Sequence, residues 1–226
     1  MVRYNRFMQR KSGEWIMPTA TFTKLPEEKQ ERVLQACVKE FGIRNVREAN
    51  LSNIVKDAGI ARGSLYQYFP TKDDLYVYVY ETLRARRAEY VKPALELYKK
   101  EPFLHFFETF HMRNIEYLMQ NPSHLALGQQ LYSCNYGVSR RVIQHLQNQY
   151  KEMFIIAIEF DKERGIINRD IDTSVLADLC VHFTTDVFIF QSVNTQLSMD
   201  NIRDYVHKML FLIETGTCAG ERTGGR

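Results

Sequence analysis

Asn50-Leu51-Ser52-Asn53-Ile54-Val55-Lys56-Asp57-Ala58-Gly59-Ile60-Ala61-Arg62-Gly63-Ser64-Leu65-Tyr66-Gln67-Tyr68-Phe69 reads as two short helical segments that meet at a glycine. Asn50 is a residue type that caps helix starts, so a helix is predicted from about Leu51 to Ala58. Gly59 permits a sharp turn and Ile60 fills the angle behind it. A second helix is predicted over Arg62 to Phe69, stopped by Pro70. On a helical wheel Leu65 lies between Ala61, Tyr68 and Phe69 on the inward arc, while Gly63 and Gln67 point the opposite way. Ser64 and Tyr66 flank that outer face, with Arg62 at its leading edge. Two short helices joined by a glycine turn make a helix-turn-helix, whose second helix is built to lie in a DNA major groove.

The outer face has the chemistry for that task. Gln67 suits a bidentate contact with adenine and Arg62 one with guanine, each worth about 1–3 kcal/mol of discrimination. Ser64, Tyr66, Tyr68 and Lys72 suit phosphate or sugar, where contacts fix register without reading sequence. The alternative for Tyr66 and Tyr68 is plain packing with their hydroxyls exposed. Gly63 costs its helix about 1 kcal/mol relative to alanine, which suits backbone that approaches a partner closely. The full candidate set for DNA contact is Asn50, Ser52, Ala61, Arg62, Gly63, Ser64, Tyr66, Gln67, Tyr68, Thr71 and Lys72.

Charge is distributed in keeping with this. Residues 1–72 hold 13 Lys and Arg against 7 Asp and Glu, whereas residues 73–226 hold 17 against 20. A basic module that meets phosphate, joined to a body that does not, gives this asymmetry; so does ordinary variation in solvated faces. A hydrophobic fraction of 45% with 25% charged residues excludes wholesale disorder. No apolar run approaches the roughly 18 residues that span a bilayer. The basic N-terminus leads into no apolar core, so no signal peptide is expected. Cys37, Cys134, Cys180 and Cys218 are scattered, so neither a zinc site nor a disulfide framework is expected and a reduced cytoplasm fits.

The remaining pattern is helical throughout, and an all-α fold is predicted. Residues 1–25 read as an irregular leader, either a basic arm that touches DNA or an upstream extension with no role, in which Met17-Pro18-Thr19 looks like an alternative translation start. The first helix begins at Pro26, with Glu27 and Glu28 placed against its dipole. It carries apolar residues at Val33, Leu34, Cys37, Val38 and Phe41, and Gly42 ends it. Thr71 and Asp74 form a capping box for the helix after Pro70. Helices follow at about 71–91, 103–120, 123–135, 138–164, 173–196 and 200–215, with breaks at Pro93, Pro102, Asn121-Pro122, Gly137, Gly165 and Ser198. The expected organisation is a leader (1–25), a helix-turn-helix domain (26–72), a helical domain (73–215) and a disordered tail (216–226). Arg84, Arg86 and Arg87 read as a solvated face, as do Glu159, Asp161 and Glu163.

The segment from Asn50 to Leu75 closely resembles the TetR (tetracycline-repressor) family. That family shows Ala-Gly-Val, a small polar residue, Lys or Arg, Gly, Thr or Ser, Leu-Tyr-x-Tyr-Phe, and then Lys-x-x-Leu at the next helix start. Here these positions read Ala58-Gly59-Ile60-Ala61-Arg62-Gly63-Ser64-Leu65-Tyr66-Gln67-Tyr68-Phe69, with Lys72-Asp73-Asp74-Leu75 following Pro70-Thr71. The resemblance covers roughly residues 26–80 in residue type and spacing. It departs at Ala61, where Ser or Thr is usual, so a cap and a contact are missing. Asn50 replaces a common threonine and caps equally well. Pro70 stands where a polar residue is more usual, removing one phosphate contact.

The resemblance implies a three-helix DNA-binding domain followed by a helical ligand-binding and dimerisation domain. A homodimer would form through the last two long helices, about 173–196 (Val175, Leu176, Leu179, Phe183, Val187, Phe190) and 200–215 (Ile202, Val206, Met209, Leu210, Ile213). The same stripes also suit a monomer core. A dimer reads a palindrome with recognition helices about 34–36 Å apart, or a multiple of that. The implied function is a cytoplasmic, sequence-specific regulator of transcription: a repressor released from operator duplex when a small hydrophobic effector shifts the 71–91 helix. A ligand-independent or activating regulator is the alternative, and a helical interaction protein without specific DNA binding is a further one.

Twenty aromatic residues follow residue 72, against four between 24 and 72, and apolar cavities with few polar groups hold small hydrophobic ligands. Candidate effector residues are His105, Phe106, Phe110, His111, Tyr117, Tyr132, Tyr136, Phe154 and Phe183, although an aromatic stripe at helical spacing equally suits plain core. No glycine-rich phosphate loop, GxSxG or HExxH motif occurs, so neither catalysis nor a cofactor is expected. No Cys/His cluster has metal-ligand spacing, so no metal is expected either.

Overall fold

The computed structural model describes residues 18–184 and 198–217, and among them every regular element is a helix. In chain order these are α1 (Ala20–Thr23), α2 (Glu27–Ile43), α3 (Leu51–Ala58), α4 (Arg62–Tyr68), α5 (Lys72–Leu95), α6 (Phe103–Gln120), α7 (Pro122–Ser133), α8 (Gly137–Glu163), α9 (Thr173–Thr184) and α10 (Met199–Thr217). Residues 185–196 of the helix expected from 173, with Val187 and Phe190, lie outside the described residues. So do residues 1–17 and 218–226. No described helix is long and apolar enough to cross a membrane.

Several expected boundaries move. Pro93 was expected to break its helix, yet α5 continues through it to Leu95; so close to the end, a proline disturbs few backbone bonds. The breaks expected at Asn121-Pro122 and Gly137 do separate helices, with Pro122 and Gly137 themselves as the first residues of α7 and α8. A proline at the first helical position lacks only an N–H that has no partner within the helix. Gly42 lies inside α2, which runs on to Ile43. Gly165 does terminate α8, with φ at +73°, and Ile166 N–H and Gly165 N–H close the end on Asp161 O and Lys162 O. Two stretches expected to be irregular are helical in part: α1 falls in the leader, and α10 runs through Gly216 and Thr217.

Two compact units form. The first takes the chain up to Arg86 together with Pro122–Val142, so it extends past the division expected at 72/73 and takes in α7. Val33, Leu34, Cys37, Val38 and Phe41 of α2 are all buried, as are Ile54 and Ala58 of α3, which packs on α2. Each such large side chain contributes roughly 1.5–3 kcal/mol by leaving water. α7 packs on α2 at Gly42, where an added Cβ would stand 3.5 Å from that of Ala126. Phe41 meets the buried Tyr76 edge-on, with ring centroids 5.0 Å apart. Arg84 and Arg86, expected to be solvated, pair with Glu81 (2.6 Å) and with Glu31 on α2 (2.5 Å).

The second unit takes Arg87–Asn121 and the chain from Ile143 onward. Its centre is aromatic: Phe103, Phe107 and Phe110 of α6 surround Phe154 of α8 at centroid distances of 5.8, 5.4 and 6.3 Å. Arg87 and Asp161, both read from sequence as solvated, are buried. Asp161 Oδ2 accepts the first N–H of α6, from Phe103, at 2.6 Å, and Arg164 lies 3.3 Å from Oδ1. The carboxylate thus caps a helix whose N-cap is Pro102, a residue with no side-chain acceptor.

Candidate nucleic-acid interface

The interface is assembled from the start of α3 and the outer face of α4. Asn50 caps α3, its Oδ1 accepting the Ser52 N–H at 2.9 Å. Asn50 is itself held: its N–H donates to Glu40 Oε1 at 2.8 Å, and Asn53 Nδ2 donates to Glu40 Oε2 at 2.9 Å. Arg44 Nη1 lies 3.2 Å from both oxygens. Burial pushes the Glu40 pKa up, but these donors outweigh it and hold the carboxyl below the usual glutamate range. At the other end of α3, Gly59 adopts φ +63°. The Gly59 and Ile60 N–H groups donate to Lys56 O and Val55 O, both at 3.2 Å, closing the helix while the chain turns. No atom would obstruct a Cβ there, so the left-handed backbone alone selects glycine.

α4 presents its residues largely as the wheel predicted. Leu65 is buried, Ser64 half-buried, and Arg62, Gly63 and Gln67 exposed. Tyr66 is 49% exposed, and the space around Gly63 is open. Ala61 stands at the N-cap with no side-chain bond. Tyr68 is corrected: it is 4% exposed, its ring centroid 5.6 Å from that of Phe22, so it belongs to the core and not to the reading face. Thr71 forms the expected capping box: its N–H donates to Asp74 Oδ2 at 3.0 Å, and the Asp74 N–H donates back to Thr71 Oγ1 at 3.1 Å. The Thr71 hydroxyl also donates to that carboxylate, at 2.6 Å.

Lys72, expected to contact phosphate, also donates within the protein. Its ammonium donates to Arg47 O at 2.9 Å and to Ala49 O at 3.4 Å, tying the start of α5 to the connection before α3. The same ammonium lines a concavity with Glu48, Ala49, Asn50, Leu51, Arg62 and Tyr66. Two cations, a phenol and the positive end of α3 outweigh one carboxylate there, and such a site suits a phosphate oxygen.

The candidate effector residues fall in both compact units. Phe106, Phe110, His111 and Phe154 are buried in the aromatic cluster of the second unit, with His111 stacked on Phe107 at 5.8 Å and 4°. Burial lowers the His111 pKa to about 4, so the ring is neutral there. Tyr117 is buried with its ring 5.4 Å from Tyr90. Phe183 lines an apolar hollow with Leu179, Met209 and Leu212. His105 is exposed and lies 3.5 Å from Glu101, on the solvent side of α6. Tyr132 and Tyr136 belong to the first unit. Among the described residues no group of three or more His, Cys, Asp or Glu side chains could hold a metal ion.

Three residues that organise the interface escaped the sequence reading. Glu40 was detectable as an acid set between Cys37 and Phe41 on an apolar face. Thr19 and Phe22 lay in the stretch set aside as leader. Phe22 is buried against Tyr68, Phe69 and Tyr78, and Thr19 bonds to the end of α4.

These features define a helix-turn-helix protein with an additional helical unit. Residues 33–79 match the family described as "Bacterial regulatory proteins, tetR family". The HTH-type transcriptional regulator YvdT of Bacillus subtilis (strain 168) is 34% identical over 67 residues, which is 30% of this chain and 34% of that protein. The match thus spans about a third of that relative's length. Among solved structures, a TetR family transcriptional regulator from Chloroflexus aurantiacus is similar with a TM-score of 0.63 and 22% identity, covering 91% of this chain and all of that one. FadR of Bacillus subtilis, solved with stearoyl-CoA, gives 0.66 and 17%, covering 82% and 98%. At such identities these likenesses show the fold. Over residues 33–79 the chain is thus similar to the tetR family of bacterial regulatory proteins.

Proposed function

We propose that this chain is a cytoplasmic, sequence-specific regulator of transcription, a homodimeric repressor released from a palindromic operator by a small hydrophobic effector. The observation that carries the reading is the outer face of α4, where Arg62, Gly63, Ser64, Tyr66 and Gln67 project beside the concavity at the start of α3. Arg62 and Gln67 read base edges; Asn50, Ser52, Ala61, Tyr66, Thr71 and Lys72 meet backbone.

Dimerisation is supported by apolar side chains left exposed on α9 and α10: Val175, Leu179, Tyr205, Phe211 and Leu212. Of these, Leu179 and Leu212 line one apolar hollow, and apolar surface open to water favours association. The aromatic centre of the second unit supports a hydrophobic effector, as does the stearoyl-CoA held by FadR, a protein of the same fold. An effector acts only through different affinities for the bound and released geometries. Titration of a duplex with the full chain across a salt series tests the reading: the association constant should fall linearly on logarithmic axes, with one duplex preferred at every salt. Salt-dependent binding with no preferred duplex would contradict it.

A further inference from the structure

α4 has little to hold it by itself. It is seven residues long, lacks a side-chain cap at Ala61 and contains Gly63, and so short a helix is not stable alone. Its last carbonyls have no partners within the helix. One residue takes two of them: the Thr19 hydroxyl donates to Gln67 O at 2.7 Å, and the Thr19 N–H donates to Tyr68 O at 3.0 Å. Thr19 is in turn fixed, because its carbonyl accepts the Phe22 N–H at 3.0 Å and the Phe22 ring is buried among Tyr68, Phe69 and Tyr78. A segment distant in sequence is therefore anchored in the core and clasps the backbone of the outermost base-reading candidate.

We propose that Thr19 is a positioning residue for base recognition, setting where Gln67 and, through α4, Arg62 meet the duplex; this rests on the DNA-reading role proposed above. Base readout requires side chains held within about 0.5 Å of productive geometry. Phosphate contacts fix register without reading sequence, so losing the clasp should degrade discrimination and spare non-specific binding. The hydroxyl bond lies at the surface, so its removal leaves the Phe22 core intact.

The test compares the full wild-type chain with Thr19→Val and Thr19→Ser. It measures dissociation constants for an operator selected from random duplex and for random duplex itself, with amide exchange across α4 in free protein. In Thr19→Val the operator-to-random ratio should fall about three- to tenfold while random-duplex affinity stays within about twofold. Exchange of the amides from Leu65 to Phe69 should quicken. Thr19→Ser should restore both. An unchanged ratio, unchanged exchange, or equal losses on both duplexes with a lower melting temperature overturns the proposal. A wild-type chain that prefers no duplex overturns both readings. That outcome differs from failure of Thr19 alone, in which wild type and Thr19→Val discriminate equally.

Discussion

The Glu40 carboxylate accepts the backbone N–H of Asn50 at 2.8 Å. A buried acid on α2 thereby holds the residue that caps α3. Glu40→Gln keeps a single acceptor oxygen for donors from Asn50, Asn53 and Arg44. Denaturant unfolding should show a loss of about 1–3 kcal/mol, accompanied by weaker duplex binding. The pH dependence carries a second signature. A carboxyl held below its usual pKa contributes stability in full above that usual value, about 4.3, and loses it as pH falls through the lowered native value. Glu40→Gln should flatten that acid limb; an unchanged limb would show that the carboxylate is not the group being titrated.

His111 acts in a higher window. Its pKa is lowered to about 4 by burial, whereas an unfolded histidine titrates near 6.5. Stability from the neutral ring is complete above about 6.5 and drains as pH falls from there to about 4, by roughly 3 kcal/mol in all. The stability of wild type relative to His111→Leu, from urea unfolding, should fall by that amount as the pH is lowered through that range. Parallel curves would mean that the ring titrates normally.

How far the sequence carried the fold depended on how local each cause was. Asn50, Gly59, Pro70 and the Thr71–Asp74 pair act within a few residues, and α3, α4 and the start of α5 stand where they were expected. Tyr66 and Tyr68 illustrate what pattern alone leaves open: only the ring of Phe22, arriving from α1, decides that Tyr68 is core and Tyr66 surface. Lys72 looked like a free cation because the carbonyls it meets, Arg47 O and Ala49 O, belong to a connection whose path is set by tertiary packing. Asp161 sat among acids on a helix, and the N–H it accepts comes from Phe103, 58 residues away. The aromatic candidates were chosen by density, which does not distinguish residues divided between two units.

Leu212 is 72% exposed on α10. If that face is the dimer interface, Leu212→Asp buries a charge on association but not on folding. Sedimentation should find a monomer with wild-type helix content, and operator binding should weaken because one protomer spans only half a palindrome. A variant that remains dimeric would place the interface elsewhere.

Selection of bound duplex from a random pool reaches the central claim most directly, run in parallel with wild type, Arg62→Ala and Gln67→Ala. Wild type should enrich a palindrome whose half-sites are about 10 base pairs apart or a multiple of that. Each variant should relax one symmetric pair of positions, at a cost of about 1–3 kcal/mol. A pool that gains no motif, or variants that recover the wild-type motif unchanged, would contradict the assignment of α4 as the reading helix.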